Sequence, residues 1–478
     1  MVADQGAGTT RMLAEYIAAP WGGAPDAALR IAGQAFLDTV GCALAGAGEP
    51  SVTRLRAALG PLHGPATVIV GGNAGAEGGA NAGTVQAGTV QAALLNGTAA
   101  HALDYDDVDD LLIGHPSAVL VPAALAVGEV VAASGVRAAE AYWRGLTTMR
   151  SVAAGLDVGG HYAKGWHSTS TLGVLGATAT AAALWELSAE QVCQAIGIAV
   201  SRAAGSRGNF GSMTKPLHAG AAAADGVLAA SLAREGFTSS AGIEGDYGFL
   251  ALYGGPDGTS GAGGGSGEPG ADGSWGQSAT DRILEALASP RLDALNVKLM
   301  PCCYATHAPA AAALELAAQG LRASEVERVG VAVPESGLRP LIGRLPGTGL
   351  EGKFSLEYVI ACCLADGRPT LALFTDAAVA RPDLRDLASR VTARESMAGR
   401  RSGTLAFQAD VTVELRGGGV RTARCAAPPG HIDRPAGIDE VLAKFDDCLT
   451  FGGIPDGAEL RERLATLADQ PDLRTLLR

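Results

Sequence analysis

The stretch PDAALRIAGQAFLDTVGCALAG, residues 25 to 46, sets the pattern for most of the chain. A proline stands at its entry, apolar residues recur at spacings of three and four, and a glycine ends it. This arrangement is typical of an amphipathic helix. Similar alanine-rich segments, bounded by glycine, proline, serine and threonine, continue to about residue 250. The sequence therefore predicts a mainly α fold with a large all-helical domain.

The pattern changes after about residue 300. VERVGVAVP, TLAFQADVTVEL and GVRTARCAAP alternate with period two and are rich in valine and threonine, so they predict three strands. FSLEYVIACCLADG and RPDLRDLASRV, between the first two, are of helical type. We therefore expect a smaller α+β lid domain over 299–430. Residues 431–478 return to a helical pattern, so we expect them to complete the helical domain whose first part is 1–298.

Composition excludes several classes of partner. The 478 residues carry a net charge of -13, with no cluster of lysine and arginine, which argues against nucleic acid and anionic membrane. The apolar run 118–135 is interrupted by Glu129 and is rich in alanine, so it predicts a buried helix rather than a membrane span. The N-terminus lacks the pattern of a signal peptide. We expect a cytoplasmic protein.

Cysteine spacing and a glycine-rich tract bear on cofactors. The eight cysteines include no CxxC pair, so zinc, iron-sulfur clusters and a disulfide framework are all disfavoured, and reduced core thiols are expected. The glycine and serine tract 255–275 predicts a flexible surface loop. A phosphate loop is disfavoured there because neither GKS nor GKT follows. We expect no metal and no cofactor.

The histidines suggest a site. His63 and His431 lie in proline-containing loops and are expected at the surface. His101 and Asp104 would share one face if residues 99–104 are helical. A lone histidine is more often a cap or a core residue, but several here flank apolar helices, and side chains at helix ends converge on clefts. These are His115, His161, His167, His218 and His307.

Two further side chains are candidates. Lys215 lies between apolar helices, whereas a purely structural lysine more often lies on a solvated face. It could bind a substrate carboxylate through a charge-assisted hydrogen bond. Tyr358 lies within a helical segment and is either a core aromatic or a hydroxyl directed at the boundary between the domains.

Six segments, in order, resemble signatures of the MmgE/PrpD family, whose members include dehydratases, decarboxylases and epimerases of small carboxylic acids. The segments are NGTAAHALDYDD, GHPSAVLVPAALAVGE, GWHSTSTLGVLGATATAAA, MTKPLHAGAAAADGVLAA, VKLMPCCYATHAPAAAALEL and KFSLEYVIACCLADG. The resemblance covers almost the whole chain. It implies a helical domain, an α+β lid, a homodimer and a site between the domains. On the motifs of the decarboxylase branch, the functional positions fall on Asp104, His115, His167, Lys215, His307 and Tyr358.

Two departures from the decarboxylase pattern affect specificity. The segment from Asp104 to His115 is about one residue longer, and Val108 stands where that branch has threonine. GWHST and TKPLH also differ from the corresponding segments of the dehydratase branch. The resemblance therefore does not assign a substrate.

The reactions of the family share a carbanion alpha to a carboxylate. Histidine can transfer the proton near neutral pH, and fixed cations stabilise the developing negative charge. Our hypothesis gives proton transfer and carboxylate binding to His115 and His167, with His307 from the lid. Lys215 and protonated histidines are the candidate cations. Lys215 would anchor a substrate carboxylate, and His101 and His218 are also predicted to bind the substrate. Tyr358 would donate a hydrogen bond or proton, and Asp104 would orient a neighbouring histidine and keep it charged.

The predicted function is thus a cofactor-independent lyase acting on a small di- or tricarboxylic acid. An epimerase or isomerase of the same family is one alternative, and a non-catalytic scaffold with the same fold is another. Asp106, Asp107 and Asp110 also have the DDxxD spacing of a magnesium-dependent isoprenoid synthase. A second metal motif is missing and aromatic residues are scarce, which disfavours that class. Asp109 and Asp110 are expected to begin a solvated loop.

Overall fold

The computed structural model describes most of the chain, including every candidate site residue. The predicted flexible loop 255–275 lies outside the described residues. The described ranges are 8–71, 84–254, 278–293, 295–397, 408–454 and 456–477.

Helices α1 to α13 form the first part of the molecule, and their apolar faces share one hydrophobic core. The opening stretch of the sequence forms α2, as predicted. α5 is buried along almost its whole length, which confirms the prediction for the apolar run near residue 120. The helices are α1 Thr9–Ile17, α2 Asp26–Gly46, α3 Pro50–Leu59, α4 Thr89–His101, α5 Ser117–Val130, α6 Gly135–Gly155, α7 Val158–Ala163, α8 Ser168–Thr171, α9 Gly173–Leu184, α10 Ala189–Val200, α11 Thr214–Arg234, α12 Phe249–Tyr253 and α13 Ala279–Ala288.

Small residues let α4 and α11 cross at close range. A Cβ added at Gly220 of α11 would lie 2.2 Å from the Leu94 carbonyl oxygen of α4, and one at Gly97 would lie 2.8 Å from the Gly220 Cα. Real Cβ atoms do not approach so closely, so only glycine permits this crossing. The crossing places the C-terminal end of α4, at His101, beside the first turns of α11.

The helical domain also contains a small hairpin, so the prediction of an all-helical body was wrong in this detail. Strands β1 (Ala66–Ile69) and β2 (Thr84–Ala87) pair antiparallel. The Asn96 side chain accepts from the Ile69 N–H at 2.9 Å and donates to the Thr67 carbonyl at 2.8 Å. Strands of four residues are too short for a period of two to be distinguished from a helix end.

The second core surrounds a four-stranded sheet in the order β4-β3-β5-β6. The three predicted strands are confirmed within the described residues. The sequence missed β4, which follows α18 directly and pairs parallel with β3. The elements are α14 His307–Ala318, β3 Val326–Pro334, α15 Gly349–Gly352, α16 Leu356–Ala365, α17 Asp376–Val379, α18 Pro382–Ala388, β4 Val391–Met397, β5 Ala409–Leu415 and β6 Val420–Cys425.

The C-terminal helices α19 (Ile438–Phe451) and α20 (Ala458–Ala465) contribute to the first core, not the second. Phe445 of α19 packs against Gly41 of α2, where an added Cβ would lie 2.8 Å from the phenyl ring. The fold is therefore mainly helical with a smaller α+β part, as predicted. On the basis of the two cores, we propose that the helical domain comprises 1–298 and 431–478 and the lid 299–430.

Within the described residues, none of the helices is long and apolar enough to span a membrane. The eight cysteines are buried and carry free thiols, in agreement with the prediction of core thiols.

Candidate functional site

The acidic segment after α4 is held by a lysine of α11. α4 ends at His101, and Asp104 has a left-handed backbone with a φ of 51°, which aspartate tolerates better than most residues. His101 and Asp104 therefore do not share a helical face, contrary to our prediction. Instead the Lys215 Nζ joins them, at 2.5 Å from Asp104 Oδ1 and 3.1 Å from His101 Nε2.

A second buried lysine completes the environment of Asp104. The Lys298 Nζ lies 3.0 Å from Asp104 Oδ2 and donates to the Asp104 carbonyl oxygen at 2.8 Å. Burial alone would raise the pKa of Asp104, but Lys215 and Lys298 lower it below its ordinary value. The direct partners of Asp104 are thus lysines, and our hypothesis that it orients a histidine was wrong. Sequence reasoning missed Lys298, whose one signal was a charge between apolar residues in VKLMP.

Asp106 is the carboxylate that contacts histidines. The His101 Nδ1 lies 2.9 Å from both of its oxygens, and the His115 Nδ1 lies 3.2 Å from Oδ2. The His115 Nδ1 also lies 2.8 Å from the carbonyl oxygen of Asp107. A carbonyl only accepts hydrogen bonds, so the proton of neutral His115 is on Nδ1 and the lone pair is on Nε2. Asp106 was not among the predicted catalytic residues.

His167 and His218 form a second pair beside the first. Their Nδ1 atoms are 3.0 Å apart, so one ring donates to the other. The ring centroid of His167 lies 6.0 Å from that of His101 and 6.5 Å from that of His115, and the His101 and His115 centroids are 4.5 Å apart. Four predicted histidines therefore form one cluster around Lys215.

His101, His167 and His218 are buried and His115 is half-buried, and removal from water affects the protonation of all four. Burial is the largest cause that lowers the pKa of each of these histidines, and the Lys215 charge lowers it further. Asp106 partly opposes this for His101 and His115, yet the pKa of His101 still falls to about 3. The lowered pKa values favour neutral rings near pH 7 in the free protein, and protonated histidines stay a prediction for the complex with substrate.

The other two predicted residues have different surroundings. His307 begins α14, its Nε2 lies 3.3 Å from the Cys302 carbonyl oxygen, and its Nδ1 is buried without a hydrogen-bond partner among the described residues. Burial and the nearby Lys298 lower its pKa to about 3. The Tyr358 hydroxyl donates to the Leu373 carbonyl at 2.6 Å, and its ring packs edge-on against Phe374 in the lid core. The structure therefore describes Tyr358 as a core aromatic.

Lys215 also lies near aromatic rings from both proposed domains. Its Nζ is 5.5 Å from the ring centroid of Phe210, in a loop of the helical domain, and 5.5 Å from that of Phe354, in the lid. The adjacent Lys353 donates to the Pro301 carbonyl at 2.9 Å, and burial lowers its pKa to about 8. The cluster therefore lies beneath the lid.

The second half of the acidic segment is buried rather than solvated, so that prediction was wrong. Asp109 pairs with Arg150 at 2.7 Å, and Asp110 accepts from the Asn296 side chain at 2.7 Å. The His431 Nε2 lies 3.5 Å from Asp110 Oδ2, which makes His431 a buried residue instead of the surface residue we expected. His63 is exposed, as predicted.

The described residues also contain a group with metal-type donors, namely His101, Asp104, Asp106 and His115, whose ligand atoms lie within 4.8 Å of one another. Two lysine ammonium groups already contact Asp104, and they would repel a cation bound there. The DDxxD carboxylates have separate partners, because Asp107 bonds to Ser117 and Asp110 to Asn296. The donor set suits proton transfer and anion binding better than magnesium.

Comparison with known proteins gives the same family along most of the chain. The MmgE/PrpD N-terminal domain matches residues 11–261, and the MmgE/PrpD C-terminal domain matches 300–469. Human cis-aconitate decarboxylase is 27% identical over 412 residues, covering 81% of this chain and 79% of the relative. The mouse cis-aconitate decarboxylase is 28% identical, and the match covers 74% of this chain and 70% of the relative. The cis-aconitate decarboxylase of Aspergillus terreus is 24% identical, and the match covers 78% of this chain and 76% of the relative. The chain belongs to the MmgE/PrpD family.

Proposed function

We propose that this enzyme is a cofactor-independent lyase that forms a carbanion alpha to a carboxylate in a small di- or tricarboxylic acid. The observation that carries the proposal is the pair of buried lysines on Asp104 beside four neutral histidines. The names of the relatives, cis-aconitate decarboxylases, support this reaction class. The proposal includes a cytoplasmic homodimer.

Lys215 and Lys298 would hold the substrate. An ammonium group has three N–H donors. In Lys215, Asp104 and His101 engage two of them, and in Lys298 the carboxylate and carbonyl of Asp104 engage two. Each lysine can therefore give its third donor to a substrate carboxylate without losing its place. Such charge-assisted bonds also stabilise the enolate-like charge that develops in the reaction.

His115 is the residue that we assign to proton transfer, with the His167 and His218 pair as the second group. Its Nδ1 proton is held by the Asp107 carbonyl and its Nε2 lone pair is unengaged by the described residues. In a dehydration, Nε2 would take the alpha proton, and the C–H electron pair would remain on carbon and then form the C=C bond as hydroxide leaves. The resulting histidinium would give its proton to the hydroxide, which forms water. In a decarboxylation, the C–C electron pair would remain on carbon as carbon dioxide leaves, and a histidinium would protonate it.

The pH dependence separates these reactions because the pKa of His115 is lowered in the free enzyme. A dehydratase or epimerase uses neutral histidine, so its kcat/KM should be retained below pH 6.5 and fall only at lower pH. A decarboxylase needs the histidinium form, so its kcat/KM should rise as the pH falls below 6.5. Bound carboxylates would raise the pKa of His115 in the complex, and the profile of kcat would therefore lie at higher pH than that of kcat/KM.

The test uses cis-aconitate, citrate-like acids and amino-dicarboxylates, with product formation and deuterium incorporation from D2O as readouts. Replacing His115 or His167 by alanine should lower kcat about a hundredfold or more. His161 is the matched control because it is also buried, yet both of its ring nitrogens are bonded, to the Tyr253 carbonyl and Thr171. His161→Gln should lower the melting temperature and leave kcat within a few-fold. Full activity of both His115→Ala and His167→Ala would contradict the assignment.

A non-catalytic role is the alternative of another class, and ligand binding distinguishes it. A carboxylate at one hundred times its dissociation constant should stabilise the protein by about 2.7 kcal/mol. Thermal shift with the same acids measures this directly. Stabilisation without turnover or deuterium exchange would favour a binding protein with this fold.

A further inference from the structure

Two consecutive carbonyl groups of the acidic segment are held by lysines from distant parts of the chain. Lys298 donates to the Asp104 carbonyl at 2.8 Å, and the Lys444 Nζ lies 2.5 Å from the Tyr105 carbonyl oxygen. Lys298 also contacts the Asp104 carboxylate and so belongs to the site itself. Lys444 has no described hydrogen bond or ion pair with a predicted catalytic side chain, although burial, Lys298 and the charge of Lys444 all lower the pKa of His307. It comes from α19, 339 residues further along the chain.

Lys444 is buried in the protein interior and has specific partners there. Its side chain is 1% exposed, its Nζ lies 2.5 Å from Asp38 Oδ1 of α2, and it is 4.2 Å from the centroid of the Tyr105 ring. Burial alone would lower the pKa of Lys444, but the Asp38 carboxylate raises it above its ordinary value. The ammonium is thus kept charged, and Asp38 and the Tyr105 carbonyl lie next to it as its partners.

The carbonyl that Lys444 holds lies between the two carboxylates on which the site depends. Asp104 contacts Lys215 and Lys298, and Asp106 contacts His101 and His115. The backbone here is left-handed at Asp104, so it is not fixed by helix hydrogen bonds. A buried carbonyl left without a donor would be costly, so loss of Lys444 would favour rotation of the Tyr105–Asp106 peptide. Both carboxylates would then move.

We propose that Lys444, anchored by Asp38, is a positioning residue that fixes the Tyr105 carbonyl and thereby the places of Asp104 and Asp106. The C-terminal helix α19 would then support catalysis as well as the core. This inference rests on the proposed function for its kinetic consequence, although the positions of the histidine partners can be measured without any substrate.

The experiment replaces the whole pair, because Lys444→Met alone would leave the Asp38 carboxylate buried and unpaired. Asp38→Leu/Lys444→Met removes both charges with side chains of similar size. Asp38→Ala/Lys444→Leu is a second pair, which also removes the donor to the Tyr105 carbonyl, and it is used if the first does not fold as judged by circular dichroism. The control is Glu140→Gln/Arg144→Met, a buried ion pair with an N–O distance of 2.9 Å within α6.

The substrate-free readout is the Nδ1–H resonances of His101 and His115 in protein labelled with nitrogen-15 histidine, assigned from His101→Gln and His115→Gln. We expect at least one resonance to shift or disappear in the Asp38/Lys444 pair and both to stay in the control. With an active substrate, kcat should fall about a hundredfold, as for a misplacement of about 1 Å, with a changed pH profile. Unchanged resonances in a folded Asp38/Lys444 variant would overturn the proposal. If the resonances change but the wild type acts on no carboxylate, positioning stands and the proposed function fails.

Discussion

The acidic segment DYDDVDD contains two halves of similar composition with different partners. In the first half, Asp104 contacts two lysines and Asp106 contacts two histidines. In the second half, Asp109 contacts Arg150 and Asp110 contacts Asn296. Both halves are buried. The difference lies in the partners: those of the first half belong to the cluster of lysines and histidines, whereas Arg150, Asn296 and His431 beside the second half do not.

Replacing one aspartate in each half should give the largest contrast. Asp106→Asn removes the carboxylate that His101 and His115 share, and an amide oxygen can serve only one of these Nδ1–H groups well. We expect kcat to fall about a hundredfold because the His101 ring loses its carboxylate partner and the His115 ring is then held only by the Asp107 carbonyl. Asp110→Asn changes an aspartate that also faces a histidine, His431 at 3.5 Å, and should leave kcat within a few-fold.

Steady-state kinetics of the two variants, with circular dichroism to confirm folding, make the comparison. Equal losses of kcat in both variants would show that the halves are not functionally distinct. A normal kcat in folded Asp106→Asn would remove Asp106 from the site.

Replacing the cation that contacts each half should separate ligand binding from protein stability. Lys215→Met leaves Asp104 paired with Lys298 but removes a charged donor, which is worth about 1.5–3 kcal/mol. We expect the affinity for a carboxylate ligand to fall about tenfold to a hundredfold. Arg150→Met leaves the Asp109 carboxylate buried without its ion pair, so the protein should lose about 3–5 kcal/mol of stability.

Calorimetric titration with the ligand and urea unfolding measure the two quantities. A large loss of affinity in Arg150→Met, or a large loss of stability without loss of affinity in Lys215→Met, would reverse the assignment of the halves.

Local patterns predicted the helices and most of the lid, since helix periodicity and strand alternation are properties of neighbouring residues. The missed strand β4 illustrates the limit. VTARESM has few of the residues that favour strands, and it is fixed by parallel pairing with β3, about sixty residues earlier. The hairpin β1 and β2 is likewise fixed by Asn96 and Glu129 from other elements.

The site residues also divide into those that the sequence indicated and those that depend on contacts between distant parts of the chain. Lys215 could be chosen because its charge stood out between apolar helices, and Asp104 because the family resemblance pointed to it. The structure places the two residues in contact. Lys298 and Lys444 could not be paired with the acidic segment, because they are 194 and 339 residues away from their carbonyl partners. Asp106 could not be singled out from the sequence because it lies in a run of aspartates, and such a run usually forms a solvated face.

Replacing Asp107, which lies between the halves, should give the smallest effect. We expect this effect on stability rather than on activity. Burial, with the nearby Asp38 and Asp106, raises the pKa of Asp107 to about 8 despite its bonds to Ser117. The folded protein therefore holds a proton between about pH 4 and pH 8 that the unfolded chain has released. The resulting stabilisation is complete below pH 4 and is lost as the pH rises through about 8.

Asp107→Asn keeps the shape of the neutral acid and removes this titration. The melting temperature of the variant should therefore rise relative to wild type between pH 4 and pH 8, by on the order of a few degrees. Differential scanning calorimetry at several pH values measures the gap, with Asp446→Asn, an exposed aspartate, as the control whose gap should stay constant. A gap that is constant for Asp107→Asn would mean that Asp107 is ionised in the folded protein. Asp107 would then be a third buried charge, and the second half would begin at Asp107 and not at Asp109.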